Sequence, residues 1–277
     1  MRLSALICVY AKDDNVYFIE ALNSILNQTL LPNEVVLVAD GPISNSLKTS
    51  IVNFEKQAKS KEIEVSIIWL QLNMGHGIAR QAGLERCTHD LVALIDADDI
   101  NYVDRFKLQV DYFKLNPRVS VLGSQIREIN HSSKKPLSLK KVPCDPEELS
   151  IYLKTRCPFN QMSVMFKKQD VLNSGGYVDF FHNEDYYLWI RMRINGYIFA
   201  NLPNVTVDAR VNELFYNRRG GLKYFLSEVK LQRYMLKNGV ISLGLYILNI
   251  GIRFLVQIVI PPRIRGKIFQ LLFRRKL

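Results

Sequence analysis

Residues 91–100, LVALIDADDI, run five apolar residues into three carboxylates, Asp96, Asp98 and Asp99, within four positions. The run has the length of a buried strand, so the acids fall at its carboxyl end. Like charges so close raise one another's pKa unless a cation sits among them. Two readings follow. The acids form a solvated turn, in which Asp side chains bond nearby backbone, or they offer hard oxygen ligands for Mg2+ or Mn2+ shared with nucleotide phosphates. Asp104, just ahead of RFKLQVDYFKL, supplies a helix start of its own and frees the upstream acids from capping.

Outward from this stretch the first half alternates. RLSALICVY, NEVVLVAD and EVSIIWLQ read as strands like DLVALID. Val16 to Gln28, with Asn15 as N-cap, SLKTSIVNFEKQAK, and Gly77 to Cys87 read as helices between them. Strands alternating with such helices predict an α/β fold, a doubly wound, mostly parallel sheet flanked by helices. Ligands of such sheets bind at the carboxyl ends of the strands. Asp13-Asp14, Asp40-Gly41, Asn73 and the three acids all fall at those ends. Asp40 is either a turn residue or an acceptor for a nucleobase. NMGHGIARQAG (73–83) sets two glycines at a helix start with Arg80 on its first turns, a candidate phosphate or base contact. It matches neither the P-loop nor the dinucleotide fingerprint.

The chain has 277 residues and a formal net charge of +11, but the charge is concentrated. From Asn217 onward there are thirteen Lys/Arg and one acid, Glu228, which leaves residues 1–216 within one charge of neutral. The four cysteines, Cys8, Cys87, Cys144 and Cys157, have neither CxxC spacing nor paired histidines and read as buried thiols in a reducing compartment. The apolar run 3–10 is too short and too β-branched for a secretory signal. Residues 239–262 are apolar over about one bilayer width, but Asn249, Arg253 and Gln257 share one helical face. That pattern predicts a helix lying in a membrane interface, followed by RIRGKIFQLLFRRKL with six basic residues. The alternative is a helix packed on the protein's own core with a solvated basic end.

In their order and spacing, ALICVYAKDD, VVLVADG, NMGHGIARQAGL and LIDADDINYVDR resemble the family 2 glycosyltransferases of GT-A fold. CPFNQMSVMFKK, GGY, NEDYYLWIRM and FYNRRGG extend the likeness to the subgroup that builds bacterial exopolysaccharide (amylovoran-type), capsule and O-antigen. The resemblance implies a catalytic domain over 1–216, with a nucleotide-sugar half at 1–115 and an acceptor half at 116–216. Residues 217–277 would be a basic, helical, membrane-proximal tail. It implies that Tyr10, Ala11 and Asp40 hold the nucleobase, that Arg80 lies near the base or diphosphate, and that Asp96 and Asp98, with Asp99, hold the ribose and a Mn2+ or Mg2+ ion. The Glu184-Asp185 pair, otherwise plain helix-start electrostatics, becomes an acceptor-side motif with Asp185 as general base. Arg218 and Arg219 are placed to clasp phosphate oxygens.

The activity so implied is inverting, metal-dependent transfer from a nucleotide sugar, expected to be a UDP-sugar, to a saccharide carried on polyprenyl diphosphate. It would act at the cytoplasmic face of the cell membrane, peripherally bound through 239–277, with no nucleic-acid partner. Transfer to polyprenyl phosphate itself, or a catalytically inactive nucleotide-sugar-binding protein, are the alternatives.

Overall fold

The computed structural model describes residues 1–211 and 220–261. β1 (Leu3–Tyr10), β2 (Glu34–Asp40), β3 (Glu64–Trp69) and β4 (Leu91–Asp96) lie side by side in the order β3-β2-β1-β4, all parallel. Every residue of β2 is buried, as a parallel strand covered on both faces requires. α1 (Asn15–Leu26), α2 (Asn45–Ser60) and α4 (Arg105–Leu115) cover one face of this sheet; α3 (His76–Arg86) and α7 (Glu184–Ile194) cover the other. α2 shows the logic simply. Leu47, Ile51, Phe54 and Ala58 form its buried stripe, and each large apolar side chain so buried contributes about 1.5–3 kcal/mol.

The second half departs from a purely parallel sheet. β8 (Met165–Lys167) joins β4 and β6 (Val119–Asn130) antiparallel to both, so the direction reverses beside β4. β9 (Ile198–Val211) then pairs parallel with β6, and the two-residue β5 (Ile100–Asn101) and the hairpin strand β7 (Pro136–Lys140) complete a mixed nine-stranded sheet among the described residues. β8 pairs with β4 across 72 positions (Ala93 with Met165) and β9 with β6 across 78 (Leu122 with Ala200), separations that no local pattern encodes.

Two helix starts differ from expectation. Asp14, not Asn15, caps α1, its Oδ1 accepting from the amides of Val16 and Tyr17, while Asn15 accepts from Ser50 Oγ instead. Asp104 sits at the cap position of α4 without a side-chain cap bond; the side chain of Gln28, just past α1, accepts from the Phe106 amide at 3.0 Å. A distant amide does there what a local carboxylate was expected to do.

The tail forms α8 (Leu222–Lys237) and α9 (Leu243–Phe254), then a π-helical turn at Leu255–Val259. α9 is amphipathic in reverse. Asn249 is buried and donates to Gln232 Oε1 and the Lys154 carbonyl; Arg253 pairs with Glu228 at 2.6 Å and donates to the Thr155 carbonyl. The apolar side, Leu243, Ile247, Leu248, Ile252, Leu255 and Val259, is exposed. The predicted polar face exists, but it meets the protein. Among the described residues no helix is long and apolar enough to cross a membrane.

Candidate active site

The strand order places a switch point between β1 and β4, where the chain leaves β1 in opposite directions, and a crevice opens there beyond the strand ends. β1 contributes Tyr10, which lies beside His76 with ring centroids 6.5 Å apart; Ala11 is exposed in the turn that follows. Asp13, after that turn, accepts from the Tyr10 amide at 2.9 Å, and burial with the charges of Asp98 and Asp96 pushes its carboxyl up to about 7. Asp40 ends β2 and is buried. Its Oδ1 accepts from the Met74 amide at 2.6 Å and its Oδ2 from the Gly75 amide at 3.0 Å, so it fastens the loop that leads into α3. Cys8 lies on the same wall, and burial pushes its thiol up to about 12, which leaves it protonated. None of Cys8, Cys87, Cys144 and Cys157 is in a disulfide among the described residues.

The glycines of 73–83 shape the start of α3 and its packing. Gly75 takes a φ of +84°, the left-handed region open to glycine, at the start of α3. A Cβ on Gly77 would lie 2.5 Å from the Val178 carbonyl oxygen and 3.4 Å from Glu184 Cβ, so its bareness admits the acceptor half against α3.

Arg80 exploits that closeness. Its buried guanidinium donates to Asp96 Oδ1 at 3.1 Å and to Glu184 Oε1, 104 positions from Arg80, at 3.2 Å, tying the tip of β4 to the first turn of α7. Burial and the Asp185 charge push Glu184 up to about 7 against the opposing pull of Arg80. Arg80's own charge and burial push His76 down to about 4, so that imidazole is neutral at physiological pH. Asp185 is half-buried, with Oδ2 4.0 Å from Cys157 Sγ. Farther along α7, Tyr186 and Trp189 are core residues rather than sugar-stacking ones, and Phe159 and Tyr177 pack edgewise on Trp189.

The three opening acids part company. Asp96 is half-buried on Arg80, and Asp98 is exposed. Asp99 is buried, and its Oδ1 accepts from the Arg210 amide at 2.8 Å. Burial, then the charges of Asp98 and Asp96, raise its carboxyl well above the usual range. Arg210, which the sequence did not single out, holds this turn. Its guanidinium donates to the Asp98 carbonyl and to Glu20, and lies 4.6 Å from the Tyr17 ring centroid. Behind the turn, fully buried Arg105 donates to the carbonyls of Leu94 and Val164 and to Asn101. No local signal marks Arg210, since its partners lie 112 and 190 positions away. Arg218 and Arg219 lie outside the described residues.

Residues 4–172 match the family described as "Glycosyl transferase family 2". The chain belongs to this family. It is 36% identical to the "UDP-Gal:alpha-D-GlcNAc-diphosphoundecaprenol beta-1,3-galactosyltransferase" of Escherichia coli, over 99% of this chain and 97% of that one. It is 37% identical to "Amylovoran biosynthesis glycosyltransferase AmsE" of Erwinia amylovora, over 83% and 84% of the two chains. Among solved structures, the mannosyltransferase PcManGT of Pyrobaculum calidifontis, in complex with GDP-Man and Mn2+, matches 92% of this chain and 70% of its own, with a TM-score of 0.66. At 15% identity that likeness shows the fold alone, a GT-A α/β fold with a mixed sheet. The protein is a glycosyltransferase, as its family and its relatives attest.

Proposed function

We propose that this chain moves a sugar from a UDP-sugar, with inversion, to a saccharide carried on polyprenyl diphosphate during assembly of a bacterial surface polysaccharide. The observation that carries the proposal is the Arg80 fork, which gathers the strand-tip and helix-start carboxylates into one crevice at the switch point. The Escherichia coli relative supports the donor and the lipid-linked acceptor by what its name states, and the Erwinia amylovora relative supports polysaccharide assembly.

In this reading Tyr10, Ala11 and Asp40 line the nucleobase end, and Asp96 holds the ribose. Arg80 holds Asp96 and Glu184 in register rather than gripping the donor alone. Arg218 and Arg219 meet phosphate oxygens. Residues 1–216 are the catalytic unit, donor half before 116 and acceptor half after it. The acceptor hydroxyl attacks the anomeric carbon while the bond from that carbon to the diphosphate oxygen breaks, and its proton passes to an Asp185 carboxylate oxygen. A single displacement inverts the anomeric configuration.

The carboxylates at the β4 tip fit a divalent cation by their chemistry. Asp98 and Asp96 are hard oxygen donors whose charges add to burial in raising the Asp13 carboxyl to about 7. Among the described residues no group of three or more His, Cys, Asp or Glu gathers to hold a metal. Mg2+ and Mn2+ bound through one or two carboxylates plus substrate phosphates need no more. We assign Asp98 and Asp96 to the ion and Asp99 to bracing the turn. When bound, the ion stabilises the negative charge of the departing diphosphate.

The outward apolar side of α9 supports peripheral attachment to the inner face of the cell membrane through 239–261 and the basic segment after it. Transfer assays with UDP-sugars and a synthetic polyprenyl-diphosphate saccharide, with and without Mn2+, test the proposal. Product with inverted linkage is expected; absence of transfer from every UDP-sugar tried would sink it.

A further inference from the structure

Tyr187 of α7, residues of α8 and Phe180 ahead of α7 border an open hollow of about 200 Å3. Phe180, Tyr187 and Tyr234 form its walls, with ring centroids 4.7 Å apart between Phe180 and Tyr187 and 4.9 Å between Tyr187 and Tyr234. Lys230, Arg233 and Lys237 line its rim. These three recur at helical spacing on α8, so they share one exposed stripe, and the exposed Leu226 continues it one turn earlier. Among the described residues none of the three takes part in an ion pair. Lys230 Nζ lies 4.9 Å from the Phe180 ring centroid, and Arg191 stacks 4.6 Å from that of Tyr187 while donating to the Ser174 and Gly176 carbonyls.

The hollow stands apart from the catalytic crevice. Tyr187 follows Asp185 by two positions, about 200° around the helix, so the two side chains leave α7 on nearly opposite sides. Its volume is below the roughly 300–1,000 Å3 of pockets that enclose drug-sized ligands, too small for a sugar nucleotide and suited to a single anionic group. Unpaired cations over aromatic walls take phosphate. The helix that bears them leads directly into α9, whose exposed side is apolar. Cations beside aromatic rings and an apolar surface match the level at which phospholipid headgroups meet acyl chains.

We propose that this hollow binds the phosphate of an anionic phospholipid headgroup and so fixes how the enzyme sits on the membrane. The inference extends the membrane part of the reading above, and its readout is independent of sugar transfer. Full-length protein is sedimented with phosphatidylcholine vesicles with and without phosphatidylglycerol. Wild type should favour the anionic vesicles, and Lys230→Gln/Arg233→Gln/Lys237→Gln should lose roughly fivefold in partition for each cation removed. A control stripping three exposed α2 lysines, Lys48→Gln/Lys56→Gln/Lys59→Gln, should partition like wild type. Tyr234→Leu, checked for an unchanged melting temperature, should also weaken anionic partition, which general charge attraction would not require. A triple variant that partitions no worse than the α2 control overturns the hollow while leaving membrane attachment standing. Wild type that ignores vesicles altogether overturns both. Impaired transfer with unchanged partition would reassign the hollow to the acceptor's diphosphate and overturn the headgroup assignment.

Discussion

The two acidic pairs of the crevice are held by different means. Asp96 and Asp98 ride on the end of a buried parallel strand, positioned by sheet hydrogen bonds and by the Arg210 and Arg105 braces behind them. Glu184 and Asp185 ride on the first turn of a helix that reaches the crevice from the other half of the chain, and Arg80 is their link to the strand tip. The strand-tip side, the proposed donor side, is thus held by its sheet and two arginines; the helix-start side, the proposed acceptor side, is held by the buried face of α7 and tied to the strand tip by Arg80. Substitutions should therefore separate the two sides, and the size of each effect should report which side it strikes.

The largest effect is expected at the acceptor side. Asp185→Asn should lower transfer by about 10²–10⁴-fold, the usual worth of a general base, while the rise in melting temperature on adding UDP persists. Loss of both would merge the two sides and break the comparison. Next comes the link. Arg80→Ala leaves Asp96 and Glu184 facing each other unpaired, and breaking a buried ion pair of this kind typically costs about 3–5 kcal/mol. Urea unfolding measures it, and an unchanged midpoint would mean that the halves are held by something else.

Asp98→Ala should leave the fold intact, since the side chain is exposed. It should abolish the Mn2+-dependent part of stabilisation by UDP, about 2.7 kcal/mol at a hundredfold excess over Kd. Equal stabilisation in the variant would remove Asp98 from the metal site.

The smallest effect is a pH slope. Glu184 is raised from an ordinary 4.5 to about 7, so the native state binds its proton more tightly than the unfolded chain does. Its contribution is complete below about pH 4.5 and is lost as pH rises through about 7. Glu184→Gln should flatten that part of the stability profile, leaving the share that Asp13 contributes in the same window. A profile of unchanged steepness would show that Glu184 titrates normally.

Much of the donor side was legible because its rules are local. An apolar run ending in acids is a strand with polar tips wherever it occurs, and β1 to β4 with their helices follow from such runs. What escaped depended on distance in sequence. Gln28 caps a helix 78 positions later, and Arg210 secures Asp99 from 111 positions away. Nothing near either residue announces the partner. α9 shows a different limit. Periodicity found its two faces, but which face turns inward was decided by Glu228, Gln232 and the carbonyls of Lys154 and Thr155, a polar socket assembled by packing. The tip acids show a third: spacing treated Asp96, Asp98 and Asp99 as equals, and burial alone distinguished them.

The guanidinium of Arg80 is flat and rigid, and its two prongs diverge by a fixed angle. It therefore sets the orientation between the tip of β4 and the first turn of α7 as well as their spacing, much as a machinist's gauge block sets a jaw. A lysine there would preserve the charge but not the rigid planar fork. Arg80 thus sets how the carboxylates at the β4 tip and at the start of α7 face each other, on elements whose buried faces already place them.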